Sequence, residues 1–180
     1  ATLNEGSLTI ELGAWAGTAF TAKAGSTAKT INIGAGETSL ASIRDKINAA
    51  GAGVTASIIN DANGARLSLR STATGEENGF RITTAETVDD NNAATGLSAL
   101  GVDGTLTSPM ELNQAAGNAM AEINGISVES ANNTLTNVAD GLTLTLGKAE
   151  LNVATEVVVA SDTEAVKTAI TDFVTAFNAL

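Results

Sequence analysis

From Ser7 onward, hydrophobic and polar positions alternate, with Leu8, Ile10 and Leu12 on one side and Ser7, Thr9 and Glu11 on the other. A period of two is that of a half-buried β-strand. A glycine-bounded link at residues 13–17 leads to a second strand at 18–23, and residues 30–33 read as a third. The period then changes. Leu40, Ile43, Ile47 and Ala50 fall on one helical face, with Thr38 or Ser39 suited to cap its start and Gly51 and Gly53 to stop it. Val54, Ala56 and Ile58 return to strand spacing, residues 60–64 turn the chain, and Leu67 and Leu69 mark the returning strand. Phe80 and Ile82 give one more short strand.

Residues 86–111 break the pattern with Asp89-Asp90-Asn91-Asn92, several glycines and the single proline, Pro109. That shift predicts a domain junction. Beyond it, Ile123 to Val128 reads as a hairpin turning at Asn124-Gly125, and Asp140-Gly141 predicts a second turn. Leu142, Leu144 and Leu146 then share a face opposite Thr143 and Thr145. Leu151, Val153, Val157 and Val159 are expected to close this second β unit. Ser161 and Glu164 have the spacing of a capping box. After it Val166, Ile170, Phe173, Phe177 and Leu180 recur at spacings of 4, 3, 4 and 3. That is a heptad seam over about two heptads, a length that also suits an ordinary amphipathic helix. The expected fold class is α+β. Two small β-rich domains, antiparallel sheets with a short helix, at 1–108 and 109–160, are followed by the start of a helical stalk at 161–180.

Composition narrows the functions. The chain has no Cys and no His, which removes disulfides, thiol nucleophiles and the commonest general base and metal ligand. A net charge of −11 with nine scattered basic residues argues against a nucleic-acid surface. No apolar run is long enough to span a membrane and no signal peptide is evident. The chain opens at Ala1 and stops inside a helical pattern at Leu180, so it reads as a fragment. Few aromatics and many Ala, Gly, Thr, Ser and Asn residues disfavour a ligand pocket.

The candidate chemistry is weak throughout. Ser26 and Lys29 fit S-x-x-K, but no S-D-N or K-T-G follows, and Lys29 sits at a strand start. Gly51 to Ala56 fits a loose G-x-G-x-x-A that leaves a helix instead of entering one, so a dinucleotide would find no helix N-terminus. Asp61 and Asn63 lack the distal Glu of a calcium loop. The pairs Asp89-Asp90 and Glu76-Glu77 read as solvated loops. Asn132-Asn133-Thr134 has the form of a glycosylation acceptor and reads as a turn. Accordingly no catalytic residue, cofactor or metal is expected. Trp15 is the outlier. It either folds back on its own sheet or stands out as a contact for a neighbouring subunit, a role for which Trp is favoured.

The order Asn124-Gly125, Asn132-Asn133-Thr134, Asp140-Gly141-Leu142-Thr143-Leu144 and Asp162-Thr163-Glu164-Ala165-Val166-Lys167, with Phe173, Phe177 and Asn178 following, resembles the flagellar hook-associated protein 2 family, the bacterial filament cap proteins. Ala131 stands where that family usually has Ser before Asn-Thr. Residues 7–84, with Thr38-Ser39-Leu40, Ile47-Asn48-Ala49-Ala50 and Gly53-Val54-Thr55-Ala56-Ser57, resemble the flagellin IN repeat, a small α+β unit. The resemblance implies a structural protein at the distal filament end, exported and extracellular. It would assist flagellin insertion and form a homo-oligomeric ring that meets flagellin and hook-filament junction proteins. Subunit contacts would fall on Val166, Ile170, Phe173 and Phe177, and on Trp15 if it is exposed. Both chain ends are then expected to lead to the stalk, which leaves open whether one head domain is inserted in the other, with strands near the N-terminus and near Val157 meeting in one sheet. The alternatives are a flagellin-like filament protein or an adhesin-like module recognising mucin or host glycans.

Overall fold

A computed structural model describes residues 3–62, 64–105, 107–139, 141–148, 153–158 and 163–179. The chain divides into two units, residues 1–147 and 148–180. The first unit is built around its first strand, β1 (Gly6–Ala16), whose alternation puts Leu8 and Ile10 into the core. Along one edge β1 pairs first with β3 (Lys29–Ile33) and then, beyond Leu12, with β2 (Ala19–Ala22). Along the other edge it pairs with β6 (Gly79–Glu86), from Gly6 opposite Glu86 to Gly13 opposite Gly79. All these pairings are antiparallel. The expected link at 13–17 is therefore strand up to Ala16, and the turn sits at Gly17 and Thr18.

Helix α1 (Leu40–Ala49) forms where its period predicts. Ser39 is the cap, its hydroxyl accepting from the Ser42 amide at 3.1 Å. Ile43 and Ile47 are buried, Leu40 and Ala50 pack at the margin, and Gly51, with φ of 59°, follows the end. The helix lies against β4 (Val54–Asp61), which pairs antiparallel with β5 (Gly64–Ser71). Asn48 fixes that contact, because its side-chain amide donates to the Ala56 carbonyl at 3.0 Å and accepts from the Ala56 amide at 2.7 Å. A side chain here satisfies a strand edge that water would otherwise satisfy. The core joins Leu8, Ile10, Ile31, Ile33 and Ile82 from the sheet to Ile43, Ile47, Val54 and Ala56.

The stretch after β6 is not an open junction. Leu97 and Leu100 are buried in the same core, Val102 bridges to Ile82, and Met110 packs at the margin. The exposed connector is shorter, at residues 111–117, with no regular structure.

Two ribbons follow, β7 (Ala119–Ile123) with β8 (Ile126–Ser130), and β9 (Thr134–Ala139) with β10 (Leu142–Thr145). The first turns at Asn124-Gly125 with φ of 52° and 81°, the positive pair of a type I′ hairpin. Asp140, in the second turn, lies outside the described residues. In the second ribbon Asn137, at φ of 60°, accompanies a register shift before Thr143. Leu142, Leu144 and Leu146 alternate in burial with Thr143 and Thr145, as their spacing predicts.

In the second unit, residues 153–158 have no regular structure and Val153 and Val157 are exposed. The expected strand around Val157 and its pairing with the N-terminal strand do not form among the described residues. Every partner that β1 has there is β2, β3 or β6. Leu151 and Val159 lie outside the described residues. Helix α2 (Thr163–Asn178) follows. Ser161 of the capping box and Leu180 of the seam also lie outside.

Candidate functional site

The residues predicted to make contacts fall in two places, one in each unit. On α2, Val166, Ile170, Phe173 and Phe177 are all exposed, Phe173 by 70%. Their spacing of four and three residues puts them on one stripe. The rings of Phe173 and Phe177 stack with centroids 6.4 Å apart. Val174 widens the stripe on one side, and Ala165 and Ala169 widen it on the other, where a shallow depression runs to Phe173. Elsewhere on the helix Lys167 pairs with Glu164, and the Thr171 and Thr175 hydroxyls bond back one turn. A helix this apolar on one face is built to be covered.

Trp15 is placed differently. It stands on the face of the sheet opposite Leu8 and Ile10, half-buried, and its indole N–H donates to the Phe80 carbonyl at 2.9 Å. Phe20, its partner across the hairpin, tilts against it at 4.9 Å. The Arg81 guanidinium lies 4.7 Å above the Phe20 ring and pairs with Glu11 at 2.5 Å. The cluster covers the outer face of the sheet, and Trp15 is an anchor on its own strands. Sequence reasoning missed Phe20 as its partner, and Arg81 and Glu11 beyond Phe20. The only signal was their shared strand parity once the pairing is known.

The other candidate chemistry resolves into structure. Ser26 lies in an exposed turn and Lys29 opens β3. Asp61 pairs with Arg66 at 3.3 Å, while Asn63 lies outside the described residues. The Asn132 side chain accepts from the Thr134 amide at 2.8 Å, an Asx turn. Carboxylates of Glu86, Asp89 and Asp90 lie within 4.8 Å of one another. Backbone amides already use them. Asp90 accepts from the Thr95 hydroxyl and the Asn92 amide, and both hold its carboxyl below the usual range. Glu86 accepts from the Ser98 amide at 2.8 Å and from Asn4 at 2.9 Å. Burial pushes its carboxyl up, but those hydrogen bonds outweigh burial and the net shift is downward.

This sets a pH dependence. A carboxyl with a folded value below its unfolded 4.5 contributes stability that is complete above that pH. The contribution is lost as pH falls through the lower folded value. Urea midpoints are expected to lose Glu86's share only below about pH 4.5, and Glu86→Gln lowers the midpoint near neutrality and flattens the acid limb, so that the two chains converge as pH falls. Midpoints measured across the range for both chains check this.

The described residues thus form an α+β unit and a helix that exposes an apolar face. Comparison with known proteins identifies the class. Residues 116–180 match the family model described as flagellar hook-associated protein 2 C-terminus, and residues 19–73 match the flagellin hook IN motif. The flagellar hook-associated protein 2 of Salmonella typhimurium is 36% identical over 151 residues, which is 83% of this chain and 31% of that protein. The B-type protein of Pseudomonas aeruginosa is 30% identical over 172 residues, 84% of this chain and 36% of that protein. Among solved structures, FliD (HAP2) from Pseudomonas aeruginosa PAO1 superposes with a TM-score of 0.78 at 30% identity, covering 100% of this chain and 77% of that one. The Escherichia coli flagellar cap protein FliD, D1-D2-D3 domains, gives 0.72 at 33% identity, covering 99% and 47%. The chain belongs to the flagellar hook-associated protein 2 family. It spans about a third of the length of these two curated relatives.

Proposed function

We propose that this chain is the head region, with the beginning of the stalk, of a protein that caps the distal end of the bacterial flagellar filament. The division is residues 1–108, 109–160 and 161–180. Copies of the protein associate in a ring, assist insertion of flagellin and prevent its loss, and meet hook-filament junction proteins at the start of growth. The protein is exported and works outside the cell. No covalent chemistry is involved, because contact area and shape at subunit surfaces do the work. One observation carries the reading, namely the exposed stripe from Val166 to Phe177 in a chain of this family. The relatives are flagellar throughout, which does not favour an adhesin-like module.

Complementation tests it. In a bacterium lacking its own cap protein, the full-length protein restores filaments and reduces free flagellin in the medium. A Phe173→Asp, Phe177→Asp variant that is exported equally well does not. Full rescue by that variant rejects the stripe as the working surface. Failure of the unaltered protein, exported and folded, rejects the capping role.

A further inference from the structure

Residues 1–147 form one unit, but the apolar core does not run through it. The core cluster begins at Leu3 and its last marginal member is Met110, and Leu135 is buried apart from it. Among the described residues, the side-chain hydrogen bonds that join the β7–β10 ribbons to the β1–β6 part pass through the loop between β5 and β6. The Thr74 hydroxyl donates to the Ala131 carbonyl at 3.0 Å. The Glu76 amide donates to the Asn118 side chain at 2.9 Å, and Asn118 in turn donates to Glu129 on β8 at 2.7 Å.

Between these two links lies Gly75, buried, at φ 100° and ψ 150°, a conformation almost confined to glycine. A Cβ there would stand 2.7 Å from the Ala131 carbonyl oxygen and 2.9 Å from its Cβ, so the two backbones touch. The loop is held in shape from the β1–β6 side. Asn78, 9% exposed, accepts from Lys23 at 2.7 Å and donates to the Thr74 carbonyl at 2.5 Å, while the Ser71 hydroxyl donates to the Asn78 carbonyl.

We propose that residues 71–79 are a latch, holding the β7–β10 ribbons against the β1–β6 part at one angle, and that the exposed connector 111–117 is the hinge on which they swing when it opens. A polar contact of this kind, with no shared apolar core, leaves relative motion as the expected behaviour once its few bonds are lost. The rigid Asn78-centred loop supplies the shape, and Gly75 supplies the close approach.

The chain has no cysteine, so Ser57→Cys on β4 and Ser127→Cys on β8, both exposed, take spin labels cleanly. Distances between them are expected to form one narrow peak in the otherwise unaltered protein. Gly75→Val broadens that peak, while circular dichroism keeps the spectrum of the unaltered protein. Thr74→Val with Asn118→Leu removes both side-chain links at unburied positions and broadens it as well, so the test stands even if Gly75→Val misfolds. A peak that stays narrow in the folded double variant overturns the latch. A peak already broad without substitution overturns it equally.

Discussion

Replacing Ile43 by alanine is expected to lower stability by about 3 kcal/mol, within the range found for buried aliphatic truncations. Ile43 is 0% exposed. It sits on the face of α1 that meets β4, β5 and β3. Truncation removes three carbons, a methylene and two methyls, from a site walled by strands on one side and its own helix on the other. Paired strands and a capped helix cannot close the gap without disturbing the β4–β5 pairing, so the cavity term adds to the transfer term. Against a total of roughly 5–15 kcal/mol for a domain, this is a large share. The melting temperature is expected to drop by roughly 6–12 °C. Ile59→Ala is the control. Ile59 is one strand away and 55% exposed, and its truncation is expected to stay within about 0.5 kcal/mol. Thermal melts of both variants at matched concentration decide the matter. Equal effects would mean that the core does not lie where α1 meets the sheet.

The elements legible in the sequence were those with a sustained period. Leu40, Ile43, Ile47 and Ala50 cover nearly three turns, and no strand period accommodates them. Asn124-Gly125 was legible because few other dipeptides take two positive φ values in succession. Misreadings arose where a local cue had a distant cause. Gly13 reads as turn punctuation, yet it lies mid-strand because a side chain there would collide with the Thr21 carbonyl, 2.2 Å from its Cβ position. Leu97 and Leu100 fall inside the stretch 86–111 that reads as a junction. A single 3-10 turn suffices to bury both, and one turn is too short to show a period. Val153 and Val157 gave the opposite error, since strand-like residues need a neighbouring strand and none pairs with 153–158 among the described residues. The choice for Trp15 depended on the Phe80 carbonyl, 65 positions away, which no local pattern encodes. The α2 stripe needed only its own spacing, so the proposed contact residues there could be named beforehand.

That stripe carries the other large expected effect. Phe173→Ala with Phe177→Ala should leave the folding of residues 1–147 unchanged, because both rings are exposed and stack on each other alone among the described residues. In the full-length protein the same pair is expected to weaken self-association by at least about 100-fold. The estimate takes about 3 kcal/mol for losing a buried aromatic side chain and about 1.4 kcal/mol per tenfold in the association constant. The 180-residue chain by itself should be monomeric or only weakly associating. Its α2 of 16 residues is marginal as an isolated helix, and a net charge of −11 makes copies of the chain repel. Light scattering on the full-length protein, on its double variant and on the 180-residue chain, at one concentration and salt, distinguishes the contributions. The expected order of mass per particle is high for the full-length protein and low for the other two. A dilution-resistant ring formed by the 180-residue chain would place assembly in the heads. A double variant that assembles as tightly as the unaltered protein would show that the stripe is covered by something other than a neighbouring copy.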